Sequence, residues 1–220
     1  MDLSYITMLM PSLMQGLGQT LLLFALTLLF SLPLGLVFTL GSISKVPPLR
    51  WVSRIYIWIF RGTPLMLQLF FIYYGLPFLG IAFDRMTSAV VTFVLNYAAY
   101  FAEIYRAGIQ SIDRGQHEAA KTLGFTPWQT MRFIILPQTV SRVIPPVCNE
   151  TITLVKDTAL VTAIGVGELL KAAEGAVNRD MDITAYVLVA LIYLALTFVL
   201  TVVYERLEKR FSRHQKKEGE

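Results

Sequence analysis

Charged and amide side chains standing inside otherwise apolar sequence are the residues here with chemistry to offer. The stretch from Pro137 to about Val155 has the length of a membrane crossing, yet it and its end carry Arg142, Asn149, Glu150, Lys156 and Asp157. An ionised group at the centre of a bilayer costs about 2.5–3.5 kcal/mol or more, so these side chains must face protein or a water-filled path. At about 1.5 Å of helical rise per residue, Asn149 and Glu150 lie roughly 18–20 Å in from Pro137. Counted from the opposite side at Met86, Asn96, Tyr97 and Tyr100 lie roughly 15–21 Å in. Both sets reach mid-membrane. Together they can surround a zwitterionic head, with Glu150 attracting its cationic end; equally, Asn149 and Glu150 can serve only to hydrogen-bond spans together across a dimer.

Three further groups of charge carry two readings each. Glu103 and Arg106, one helical turn apart, form an ion pair or a gate latch. Arg61 snorkels to an interface or guards a gate, and Lys156-Asp157 shapes a gate or caps its span. Pro145-Pro146 makes the polar span irregular, freeing carbonyls for a ligand or a neighbouring helix. Catalysis and metal binding find no support. The chain has a single cysteine, Cys148, which suits buried packing, and two distant histidines, His117 and His214, which suit a cytoplasmic surface. It holds no His-Glu-x-x-His and no Gly-rich phosphate loop ending Gly-Lys-Ser/Thr.

The elements that must position these groups are membrane helices. Of 220 residues 55% are hydrophobic and only 15% charged, against about 25% charged in a soluble domain. Residues 3–44, 62–83 and 183–204 contain no Asp, Glu, Lys or Arg. The spacing predicts an all-α membrane protein, a single domain over 1–220, with five spans at about 14–40, 52–76, 86–108, 137–155 and 183–205. Pro11-Ser12 marks the first start, residues 41–50 form a punctuated turn, and Arg61-Gly62-Thr63-Pro64 breaks the second span into two pieces. The N-terminus, acidic at Asp2 and lacking a basic region, does not read as a cleaved signal peptide.

A formal net charge of +4 does not point to nucleic acid, because the basic residues flank the apolar runs. Lys45, Arg50 and Arg54, then Arg114, Lys121 and Arg132, then Arg206, Lys209, Arg210, Arg213, Lys216 and Lys217 share one side. The other side has Arg85, Lys171 and Arg179 against Asp84, Glu168, Glu174, Asp180 and Asp182. That bias predicts an N-terminus outside and a C-terminus in the cytoplasm, a parity that five spans satisfy. The tail 206–220 is charged and reads as disordered from about 212. No inverted halves are visible, and five helices are thin for enclosing a polar path, which favours a dimer. Gly165 and Gly167 followed by Glu168-Leu169-Leu170-Lys171 suggest a short external helix.

The loop 111–136 is specified unusually firmly. Asp113 suits a helix N-cap with Gln116 at the third helical position, and Gly124 suits the left-handed residue that ends the helix. Thr126 is a second cap with Pro127 first and Gln129 third, giving a sharp helical hairpin on the cytoplasmic face. Such a hairpin either docks in a partner's groove or lies amphipathically on lipid headgroups.

The spacing Glu118-Ala119-Ala120, Gly124, Ile134, Leu136-Pro137 resembles the EAA signature of permease subunits in bacterial ATP-binding-cassette importers. Gln15 to Thr20, Arg61 to Pro64, Ala102 to Arg106 and Lys156 to Leu160 resemble the polar amino acid branch, so the likeness covers nearly all of Gln15–Tyr204. The resemblance implies the type I importer permease fold in the bacterial inner membrane, with no active site and no cofactor on this chain. It implies that ATP and Mg are used by a separate dimeric ATPase, contacted by a coupling helix at Gln116, Glu118, Ala119, Ala120, Gly124 and Pro137. It also implies an identical or related permease partner, an external binding protein, and a cargo such as glutamine, glutamate, histidine, arginine or cystine. An ion-driven secondary transporter and an intramembrane enzyme are the competing classes.

Overall fold

A computed structural model of the chain describes residues 3–211. The readings placed on Asp2 and on the tail 212–220, including Arg213, His214, Lys216 and Lys217, lie outside the described residues. The regular structure of the described residues is all helix: α1 (Leu3–Ser42), α2 (Pro47–Gly62), α3 (Leu65–Phe70), α4 (Arg85–Gln110), α5 (Arg114–Thr122), α6 (Pro127–Thr130), α7 (Leu136–Asp157), α8 (Leu169–Asp180) and α9 (Thr184–Phe211). Wide or tight turns link some of them: Phe71–Gly75 and Leu76–Leu79 after α3, Met131–Ile135 before α7, and Thr158–Ile164 after α7.

α1 begins at Leu3, well before the expected start, and runs straight through Pro11. Proline removes one backbone bond there, but Leu9 and Leu13 on either side are buried with Leu169 and Ala173 of α8, and that packing holds the early turns. Further along, Gly16, Thr20, Leu23, Thr27, Ser31, Gly35 and Thr39 recur every three or four residues as a buried stripe of mostly small side chains. Small residues let α4 approach closely, and Thr39 Oγ1 donates across the contact to the Ala102 carbonyl at 3.0 Å. α2 starts at Pro47, earlier than the predicted span, because Pro47 and Pro48 occupy a first turn whose N–H groups need no partner. α9 continues past Tyr204 through the charged residues to Phe211.

The main core gathers Leu23, Leu69, Phe93, Tyr97, Phe101, Leu154 and Val161 where α1, α3, α4 and α7 meet. Among the described residues three helices are long and apolar enough to cross a membrane: α1, α4 and α9. α2 and Leu65–Leu79 pass together, but they bend by 106° at their junction, so the second span is a corner and not a gently interrupted rod. α7 has 22 residues, about 33 Å, but its charges keep it out of that apolar class.

Candidate functional site

The corner between α2 and α3 is the local event that shapes the site. Pro64 lacks an N–H, so the Phe60 carbonyl four residues earlier has no helical donor. Two buried amides supply one: Asn96 of α4 donates to Phe60 O at 3.1 Å and Gln68 of α3 at 2.9 Å. Gln68 also donates to Thr63 O and Oγ1 at 3.1 and 2.7 Å, and its own oxygen accepts from Asn96 at 3.0 Å. The amide group of Asn96 is thus committed to the scaffold. It builds the wall and has no donor left over for a solute.

Against that wall lies a cavity of about 260 Å³, whose polar lining is Thr63, Asn96, Tyr97, Tyr100, Glu150, Thr153 and Asp157. Glu150, Thr153 and Asp157 share one face of α7 by helical spacing. Tyr97 donates its phenol to Asp157 Oδ2 at 2.7 Å. Glu150, half-buried, has neither a hydrogen bond nor an ion pair among the described residues. The structure separates two pairs that adjacency in sequence had joined. Asn149 and Lys156 point out of the cavity and are exposed, since successive helical residues diverge by about 100°. Beside the cavity, Arg61 sits 5.5 Å from the Tyr100 ring centre and 3.6 Å from Glu103. Glu103 is held chiefly by Arg106, whose Nε donates at 2.9 Å, and Arg106 also donates to Gln110 at 2.7 Å. Arg142 donates to the backbone and hydroxyl of Ser111.

The hairpin between α4 and α7 closes on local bonds. Asp113 caps α5 by accepting from Gly115 N at 2.6 Å. Gln116 is not drawn into that cap; its oxygen accepts from Gln138 of α7 at 3.2 Å and ties the hairpin to that helix. Gly124, at φ +78°, ends α5 with Phe125 N donating to Ala120 O and Gly124 N to Lys121 O, both at 3.0 Å. Thr126 and Gln129 then exchange reciprocal cap bonds at 3.3 and 2.8 Å. Glu118, Ala119 and Gly124 are exposed, whereas Ala120 is turned inward at 1% exposure and is withdrawn from any contact face. Leu123 and Trp128, which the sequence reading passed over, stand 74% and 70% exposed at the hairpin tip. Pro137 is exposed in the first turn of α7.

Residues 31–213 match the family described as binding-protein-dependent transport system inner membrane component. The chain belongs to that family. It is 41% identical over 205 residues to the probable amino-acid ABC transporter permease protein YckA of Bacillus subtilis, covering 93% of this chain and 91% of that protein. To the L-cystine transport system permease protein TcyB of the same organism it is 42% identical over 206 residues, 93% of this chain and 88% of the relative. Among solved structures, an amino acid ABC transporter crystallised with histidines superposes at TM-score 0.90 with 34% identity, covering 96% of this chain and 99% of that one. The inward-facing MetNI methionine transporter, at 20% identity and TM-score 0.72, covering 97% of this chain and all of that one, shares the fold. This permease therefore has the all-helical architecture of ABC importer permeases.

A second polar centre in the permease escaped the sequence reading. Glu168, fully buried, caps α8 by accepting from Leu170 N at 2.8 Å and Lys171 N at 2.7 Å. It also accepts from Thr162 Oγ1 at 2.5 Å and from Tyr193 of α9 at 3.0 Å. The signal was present: a carboxylate just before an apolar helical run is an N-cap, and Glu-Leu-Leu leaves it no neighbour but protein. Outside the membrane helices, hydrogen bonding from Arg179 holds the Asp180 carboxyl below its usual range, and Tyr5 of α1 donates to it at 2.9 Å.

Proposed function

We propose that this chain is the membrane subunit of an ATP-driven importer of polar amino acids, carrying the path itself and no catalytic group. Glu150 is the observation that carries the reading. It is an unpaired carboxylate facing a cavity the size of a small solute, with a tyrosine–aspartate pair beside it, inside a fold shared with permeases of amino acid transporters. A carboxylate that Arg61 influences only through space, with no ion pair of its own, attracts a second cation, and the ammonium of an amino acid supplies it. Tyr100, with Arg61 above it, offers a cationic and aromatic edge to the opposite end of a zwitterion.

Drive comes from outside the chain. A dimeric ATPase, using ATP and Mg, seats on the α5–α6 hairpin, whose exposed Leu123 and Trp128 want an apolar groove and whose Glu118 and Ala119 lie beside them. An identical or related permease completes the path, and an external binding protein delivers cargo from the α8 side. The orientation follows the charge bias: N-terminus outside, hairpin and C-terminus in the cytoplasm of a bacterial inner membrane.

The test is uptake into vesicles holding the complete complex, with labelled arginine, glutamine and cystine supplied in turn. ATP-dependent accumulation of at least one supports the reading. Accumulation that proceeds with the ATPase omitted and an ion gradient imposed overturns it in favour of a secondary transporter.

A further inference from the structure

The buried carboxylate of Glu168 joins four parts of the chain at one point. Each of its oxygens accepts one backbone N–H from the first turn of α8 and one hydroxyl: Thr162 on Oε1, Tyr193 on Oε2. α1 closes the fourth side. Leu169 N donates to Thr20 Oγ1 at 3.2 Å, and a Cβ placed on Gly16 would stand 2.8 Å from the Glu168 carbonyl oxygen. Thr162 lies in the tight turn Thr158–Ile164, which begins at the residue after Asp157 in the cavity wall. Capping α8 needs only the two backbone bonds. The hydroxyl bond to Thr162 does something else: it fixes the turn that follows Asp157 to the start of α8.

We propose that Glu168 is a positioning residue that, through Thr162, sets the place of Asp157 in the cavity from the α8 side. The proposal rests on the transport reading above for its functional consequence. Thr162→Val keeps the side-chain shape, leaves the two backbone bonds that cap α8 intact and cuts only this link.

In vesicles with the complete complex, Thr162→Val is expected to raise the KM for the transported amino acid about fivefold, the scale of one hydrogen bond to a charged group transmitted in part, with kcat changed less than twofold. Hydrogen exchange on the purified permease reads the same link without transport. Thr162→Val should speed exchange at amides 158–166 and not in the first turns of α8. Unchanged KM in a transporting complex, or unchanged exchange at 158–166, overturns the proposal. Absence of ATP-dependent uptake by the wild type overturns the transport reading instead and leaves exchange to judge the link.

Discussion

Replacing Gly124 separates a backbone requirement from a contact requirement at the hairpin. The residue is exposed, and a Cβ built on it meets no atom within 4 Å, so nothing inside the permease obstructs a side chain. The cost is conformational. At φ +78° an ordinary L-residue loses about 1–2 kcal/mol, asparagine loses less, and a β-branched residue sits at the top of the range. A helix of nine residues has little stability of its own to absorb such a loss, so most of it passes to the docking-competent population. The expected weakening of ATPase binding is about fivefold for Gly124→Ala and about thirtyfold for Gly124→Val, with Gly124→Asn within about threefold of wild type. Equilibrium binding of the labelled ATPase to permease in nanodiscs measures it, and membrane insertion should be unaffected throughout. Asparagine weakening as much as valine would refute the backbone argument, because side-chain size would then decide. Wild-type binding by valine would show that the turn does not serve docking at all.

Glu150→Gln should lower uptake of the preferred amino acid by roughly 10–100-fold, the value of a hydrogen-bonded charge, as read from initial rates; an identical uptake profile would make Glu150 structural. Gln68→Leu takes a side-chain donor from the Thr63 carbonyl and the acceptor from Asn96, while Asn96 still reaches Phe60 O, and should cost about 1–3 kcal/mol, seen as a lowered melting temperature in detergent, whereas an unchanged melt would mean the corner is held by packing alone. Because Arg179 depresses the Asp180 carboxyl, its stabilising contribution is present above the ordinary carboxylate range and is lost as pH falls through the depressed value. Asp180→Asn should therefore melt below wild type at neutral pH and converge with it in acid; a gap that persists at low pH would trace the effect to packing. Leu123→Ser with Trp128→Ser should weaken ATPase binding without lowering the melting temperature, since both side chains are largely exposed.

What could be read from the residues followed rules local in sequence. The caps at Asp113 and Thr126, the glycine at 124 and the break at Pro64 each depend on a few neighbours, and each stands where the spacing put it. Start points dictated by tertiary packing did not follow. α1 outruns Pro11 because α8 lies alongside, which no local pattern announces. Side-chain direction was the other limit. Glu150 and Asp157 enter the cavity while Asn149 and Lys156 leave it, and only a known helix face sorts neighbours of similar polarity. Asn96 lines the cavity as expected, but its amide serves the backbone of another helix. Pro64 placed four residues after Phe60 implied an orphan carbonyl, and Gln68 is the sole amide in the uncharged run 62–83; that pairing was legible and went unread. Ala120 faces inward for a reason beyond the EAA pattern, since a two-turn helix must bury one stripe to stay seated.

The α2–α3 corner owes its shape to two side-chain amides, Gln68 of its own and Asn96 of α4, where Pro64 interrupts the ladder of backbone bonds. Asn96 grips it from α4, and α4 runs on to the start of the hairpin. A push delivered at that hairpin along the axis of α4 would drag the corner with it, so the Thr63 and Asn96 wall would move as one piece against the α7 wall, with the Tyr97–Asp157 bond as the tie between them.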